Sequence, residues 1–139
     1  MRPDVCNPPG YLTSESGTYI GNPANRTYGQ YPGTIIVSKG TTKTVSGSLQ
    51  TTVSAEAGVI FAKVSTSIGL SVGLSRAVTT DSSYSWAVPK SQATGYVEMG
   101  SHGYRISWRY GSYNSSCQFV TQRTGQLSGV TANVEFTHS

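Results

Sequence analysis

At 139 residues the chain has the length of one domain, able to bury about 65–70% of its unfolded surface. Only 12% of its residues are charged, about half the usual share, so the polar surface has to come from Ser, Thr, Asn, Gln and Gly. The net charge of +4 favours anionic surfaces in general, but no Lys/Arg run exists, which excludes a nucleic-acid footprint.

In chain order, residues 1–33 hold five of the six prolines (Pro3, Pro8, Pro9, Pro23 and Pro32), with Gly and Asn between them. The segment reads as irregular, with at most one short strand near "GTYIG". It is either a loop-rich lid or an extended arm that docks on another protein, with Tyr11, Tyr19, Tyr28 and Tyr31 as docking candidates. The opening Met-Arg-Pro-Asp carries no apolar stretch of the signal-peptide kind, so Met1 reads as a start left after leader removal. Cys6 and Cys117 are the only cysteines and both stand in turn-like surroundings, "DVCNPPG" and "YNSSCQF". No CxxC or metal spacing is present. A disulfide between them is expected if the compartment is oxidising. It would close a loop of about 112 residues, worth about 4–5 kcal/mol by chain-entropy arithmetic.

From Thr34 to Ser139 the pattern is that of a single β domain. "TIIVS" and "TKTVSGSLQTTVSAEA" read as strands, the second with Val45, Leu49 and Val53 on one parity. "AGVIFAK" is a short apolar run that fits a tight turn or about two turns of helix. It flips the parity, since apolar residues are odd before it and even after it. In "KVSTSIGLSVGLSRAV", residues 63–78, the even positions include Val64, Ile68, Leu70, Val72 and Leu74, and the odd positions are nearly all Ser and Gly. Residues 44–57 and 60–79 therefore read as the two arms of a long amphipathic hairpin. The second arm would reach about 60 Å at about 3.3 Å per residue. Small neutral side chains on its polar face suit either a face covered by another sheet or one lining a wet lumen. After the "TTDSS" turn, "YSWAVPK" is a short strand stopped by Pro89. "TGYVEMG" and "GYRISWRYGSY" follow around a "GSHG" turn, and "CQFVTQRTGQ" and "GVTANVEFTHS" close the chain. Seven or eight strands with turns at about ten-residue spacing predict an all-β fold, an antiparallel β-sandwich or an elongated twisted sheet. The apolar runs are too short for a transmembrane helix.

The two Ser/Thr-rich arms, followed by "SYSWAVPKSQ", resemble the membrane-insertion module of aerolysin-type β-pore-forming proteins over residues 34–100. The resemblance implies a hairpin that rests on a long twisted sheet and refolds, after self-association, into a transmembrane barrel. Val64, Ile68, Leu70, Val72 and Leu74 would then be the membrane-insertion residues. A transmembrane strand needs only about 9–11 alternating residues, and Arg76, on the apolar parity, lies near one end, where a charge costs about 0–1 kcal/mol. The chain is short for that family and shows no separate receptor-binding lobe. A more general likeness is to small secreted β proteins of filamentous actinobacteria, including the adaptors of toxin particles.

In "GYRISWRYGSY", Tyr104, Ile106, Trp108 and Tyr110 share one face and Arg105, Ser107 and Arg109 the other. Tyr104, Arg105, Trp108, Arg109 and Tyr110 are the ligand or interface candidates. Trp108 or Tyr104 would dock a sugar ring, or the aromatics would sit at a lipid interface with the arginines on headgroups. Alternatively, the strand belongs to the core with its Arg face solvated. "NRT" at Asn25 and "NSS" at Asn114 fit the N-glycosylation acceptor.

His102 and His138 stand apart, the six acids are scattered, and GxSxG, HExxH and phosphate-loop motifs are missing. Neither catalysis nor a cofactor or metal is expected. The sequence thus points to a secreted, extracellular, non-enzymatic β protein. It leans towards a pore-forming toxin or defence protein acting on membrane lipid or a cell-surface glycan. An adaptor or structural subunit that binds a secreted protein partner through its N-terminal segment, or a glycan-binding module, are the other readings.

Overall fold

The computed structural model describes residues 6–50 and 52–139. Nine strands and one α-helix follow one another. They are β1 (Gly10–Ile20), β2 (Arg26–Gln30), β3 (Thr34–Val37), β4 (Thr42–Ser46), β5 (Ser48–Gln50), α1 (Ser54–Ile68), β6 (Ser75–Thr79), β7 (Tyr84–Ala87), β8 (Thr94–Tyr113) and β9 (Phe119–His138). All pairings are antiparallel, and the all-β class expected from the sequence holds. No helix among the described residues is long and apolar enough to cross a membrane.

The frame is the β8–β9 hairpin, two strands of 20 residues each. The "GSHG" stretch is no turn but part of β8, where a register irregularity between Ser101 and Gly103 lets the strand run on. Likewise "CQFVTQRTGQ" and "GVTANVEFTHS" form one strand. Glycine marks an irregularity here rather than a chain reversal. The N-terminal segment also departs from the expectation of irregularity. β1 pairs with Ser101–Gly111 of β8 and β2 with Thr94–Glu98, so both complete the same side of β8. Pro8 and Pro9 precede β1, Pro23 lies between the two strands and Pro32 follows β2. In β1 the alternation is of Ser, Thr and Tyr rather than of apolar residues, which is why it carries little strand signal. The sheet order is β1-β8-β9-β5, with β2 beside β8.

Side chains alternate between the faces of a strand, and each face of the long sheet is covered at a different end. On the face of Val97 and Met99, the β3–β7 and β4–β6 pairs bury Ile35, Val37, Val45, Val78 and Val88 against Val130. Tyr84 stacks on Phe136 and Trp86 on His138 at its margin. That end is a small sandwich. On the opposite face, towards the β8–β9 turn, α1 buries Ala57, Ile60, Phe61 and Val64 over Ile106, Trp108 and Leu127. The expected Cys6–Cys117 disulfide is present, with a sequence separation of 111, and ties the start of β1 to the β8–β9 turn.

The long hairpin is the main correction. Residues 44–57 and 60–79 are not two long strands, because residues 54–68 are helical. Ala57, Ile60, Phe61, Val64 and Ile68 recur at helical spacing as well as containing part of the alternating set, and the helical stripe is the one that packs. Tertiary burial has overridden a β-like local pattern.

Candidate functional site

Residues 47–74 leave and rejoin the fold through one narrow neck. β4 and β6 pair from Thr42–Thr79 to Ser46–Ser75, and the Gly47 N–H donates to the Leu74 carbonyl at 2.7 Å. β5 then lies on the edge of β9, α1 crosses the sheet, and Gly73 returns beside Val130. Two hydroxyl pairs, Thr42–Thr79 at 2.7 Å and Ser46–Ser75 at 3.1 Å, rung the neck.

The helix is weak in itself. Val53 stands at its N-cap without a side-chain hydrogen bond, forgoing about 0.5–2 kcal/mol that Ser, Thr, Asp or Asn would supply. Gly58 in its interior costs about 0.8–1 kcal/mol against Ala. Val59, Ile60, Val64, Thr66 and Ile68 are β-branched and lose side-chain freedom in a helix. Its C-terminal end is better made. Gly69, at φ 74°, adopts the left-handed conformation and donates to the Ser65 carbonyl, and Ser65 Oγ accepts from the Val72 N–H at 3.0 Å. What holds α1 is tertiary. Phe61 and Val72 sit where a Cβ on Gly129 would come within 2.5 Å, so only glycine allows this approach. Trp108 Nε1 donates to Thr52 Oγ1 at 3.0 Å, and Glu56 pairs with Arg123. That carboxylate raises the Arg123 guanidinium pKa through its hydrogen bond.

The membrane-insertion candidates are accordingly packed away. Val64 and Val72 are buried, Ile68 and Leu74 are half-buried, and only Leu70 is exposed. The odd residues Ser67, Gly69 and Ser71 are exposed and not covered by another sheet, and Ser71 Oγ accepts from Arg76 Nη2 at 2.8 Å.

The aromatic strand divides as its alternation predicts. Trp108, 2% exposed, lies under α1 with Tyr104 and Tyr110 at its flanks, so it offers no platform to a sugar or a lipid. Tyr11 packs edge-on to Trp108 and against Tyr110. Tyr19 donates to Glu98 Oε2 at 2.8 Å, and Arg26 Nε donates to Oε1 at 2.9 Å. Burial first, then Glu98, push the Tyr19 phenol well above its usual value. Tyr11 and Tyr19 are therefore structural, and of the N-terminal docking candidates only Tyr28 and Tyr31, 61% and 49% exposed, face outwards. Asn25 is buried with its amide donating to the Thr44 carbonyl, whereas Asn114 lies exposed in the β8–β9 turn.

Arg105 and Arg109 point to the face opposite α1. There two cross-strand rows of small polar residues remain uncovered. One row is Ser16, Arg105, Ser128 and Ser48, and the next is Ser14, Ser107, Gln126 and Gln50. Together they floor a groove of about 520 Å³. Sequence reasoning found Arg105 but not the row, because β1 and β5 were not recognised as its neighbours. No protein-family model and no curated protein matches the chain.

Proposed function

We propose that this chain is a secreted, non-enzymatic, membrane-active β protein that inserts residues 47–74 as a hairpin and self-associates into a barrel, in the manner of aerolysin-type proteins. The observation that carries the reading is the register of the neck. Continued inward from Ser46–Ser75, it pairs Gly47 with Leu74, Leu49 with Val72, Val53 with Ile68 and Ala57 with Val64. Leu49, Val53, Ala57 and Val59 then fall opposite the apolar Val72, Ile68, Val64 and Ala62, Ala55 falls opposite Thr66, and Ser48, Gln50, Ser54 and Glu56 fall opposite Gly73, Ser71, Ser67 and Ser65. The parity flip at "GVIF" becomes the hairpin turn. With residues 58–61 in the turn, arms of residues 47–57 and 62–74 reach the about 9–11 residues that span a bilayer. The register of the neck supports a hairpin that would continue it, with a weakly propensive helix holding the apolar side chains against the sheet before insertion. Self-association is required because a lone hairpin leaves backbone groups unpaired in lipid. The disulfide supports an oxidising compartment.

The test is a lock. Ser48 and Ser128 are direct cross-strand partners, at a separation that antiparallel strands share with disulfides. The double variant Ser48→Cys/Ser128→Cys should fold, release no dye from loaded liposomes when oxidised, and regain release when reduced mildly enough to spare Cys6–Cys117. Release by the oxidised form would refute insertion of this segment. The exposure of Tyr28 and Tyr31 favours the adaptor as second reading. A wild-type protein that stays monomeric and inert on all vesicles, yet binds a secreted protein partner in a manner abolished by Tyr28→Ala, would establish that reading instead.

A further inference from the structure

The uncovered rows on the Arg105 face carry a second inference, which does not depend on membrane insertion. We infer that the groove binds an acidic oligosaccharide, with a sulfate or carboxylate of the sugar on the Arg105 guanidinium. The floor is a lattice of hydroxyls and amides. Ser14, Ser16 and Ser107 each offer a donor and acceptors and Gln126 offers both, while Ser128 Oγ already accepts from the Ser48 N–H and meets the Ser48 hydroxyl. Neighbouring strands are about 4.8 Å apart and same-face residues about 6.8 Å apart along a strand, a spacing on the scale of successive sugar hydroxyls. The β4–β6 layer covers the same face at the other end of the sheet, so the groove is the step where that layer stops.

Charge supplies the anchor. Among the described residues the Arg105 guanidinium has neither an ion-pair nor a hydrogen-bond partner. Arg109, two residues along the same face, bonds Thr121 Oγ1 at 3.3 Å and lies over the Phe119 ring. Among the described residues no carboxylate forms an ion pair with Arg105. Glu15 borders the groove but pairs with Ile106, which directs its side chain to the helix-bearing face. Glu98 and Glu135 bond partners on that same opposite face, and Glu56 belongs to α1. Because Tyr104 and Trp108 are also turned away, no aromatic ring is available to stack on a neutral sugar. Recognition has to combine polar contacts with a bidentate grip on an anion, which suits arginine.

The experiment titrates the isotope-labelled protein with a sulfated hexasaccharide, its desulfated counterpart, and phosphatidylserine vesicles. Amide shifts should cluster at Ser14–Ser16, Arg105–Ser107 and Gln126–Ser128. Arg105→Gln should weaken binding about tenfold or more, the loss expected for a charge-assisted hydrogen bond, and the desulfated probe should lose as much. Ser107→Trp, which fills the groove without altering charge, should also block binding. Lys90→Gln, a control on an exposed cation elsewhere, should change affinity less than about twofold. Equal losses from Lys90→Gln, shifts centred on Lys39 and Lys43, or equal binding of the desulfated probe would overturn the inference. Vesicle binding that depends on Arg105 without hexasaccharide binding would overturn it in favour of a lipid headgroup.

Discussion

The separation of the apolar interior into two clusters makes a sharp prediction for Ile60→Ala. Ile60 is fully buried on the sheet-facing side of α1, packed in the cluster with Phe61, Val64, Ile106, Trp108 and Leu127. The substitution removes three carbon groups at about 0.8 kcal/mol each, and a residual cavity brings the cost into the about 2–5 kcal/mol range of such changes. Taking about 3 kcal/mol, and about 1.4 kcal/mol per factor of ten, the helix should be undocked about 100 times more often. Hydrogen exchange followed by mass spectrometry reads this directly. Peptides covering residues 54–68 should exchange about 100-fold faster, whereas those around Val97 and Met99, which belong to the other cluster, should keep their protection. Val59→Ala provides the opposite control. Val59 is 56% exposed, so losing its β-branched side chain should leave α1 protected at least as well as before. If Ile60→Ala lowers protection equally in both clusters, α1 is no separable unit, and the idea that it can leave the sheet while the frame stays folded fails.

Two further predictions concern the frame. The Tyr19 phenol is held above its usual 10.0 by burial and by Glu98, so the folded state keeps the proton longer than the unfolded state. This contribution is complete below the unfolded value and is lost as pH rises through it towards the folded one. Stability should therefore fall above about pH 10, and Tyr19→Phe should flatten that limb in urea melts at successive pH values; an unchanged slope would contradict the assignment. Tyr11, raised as well, should leave a residual slope. Reducing Cys6–Cys117, with its separation of 111 residues, should lower unfolding free energy by about 2–5 kcal/mol and expose β1 first to exchange. A midpoint that does not move on reduction would mean that the N-terminal strand is held by its ladder alone.

Fold class was legible because alternation and turn residues recur along most of the chain, and the disulfide because both cysteines stand in turns. The helix was not legible for a physical reason. Val64 and Ile68 satisfy a period of two and a period of 3.6 together, and their β-branched chemistry favours the strand that the fold does not use here. Which period wins depends on Gly129 opening the sheet to Phe61 and Val72, contacts across more than fifty positions of sequence that no local window contains. The same ambiguity is what the proposed insertion requires, since a segment with one consistent period would have only one stable packing. Strand alternation separated Arg105 and Arg109 from Trp108 correctly, yet it could not say which face would be covered. That depended on where α1 and the β4–β6 pair would pack, which the local pattern of β8 does not contain. One wall of the groove, β1, was missed because Ser and Thr fill its middle, whereas β5 lies within a segment that reads as a strand. A face built from serine and glutamine, where valine or threonine would make a better strand, is maintained against its own propensity. The strand propensity given up along these rows leaves the hydroxyl and amide lattice on which the proposed oligosaccharide site rests.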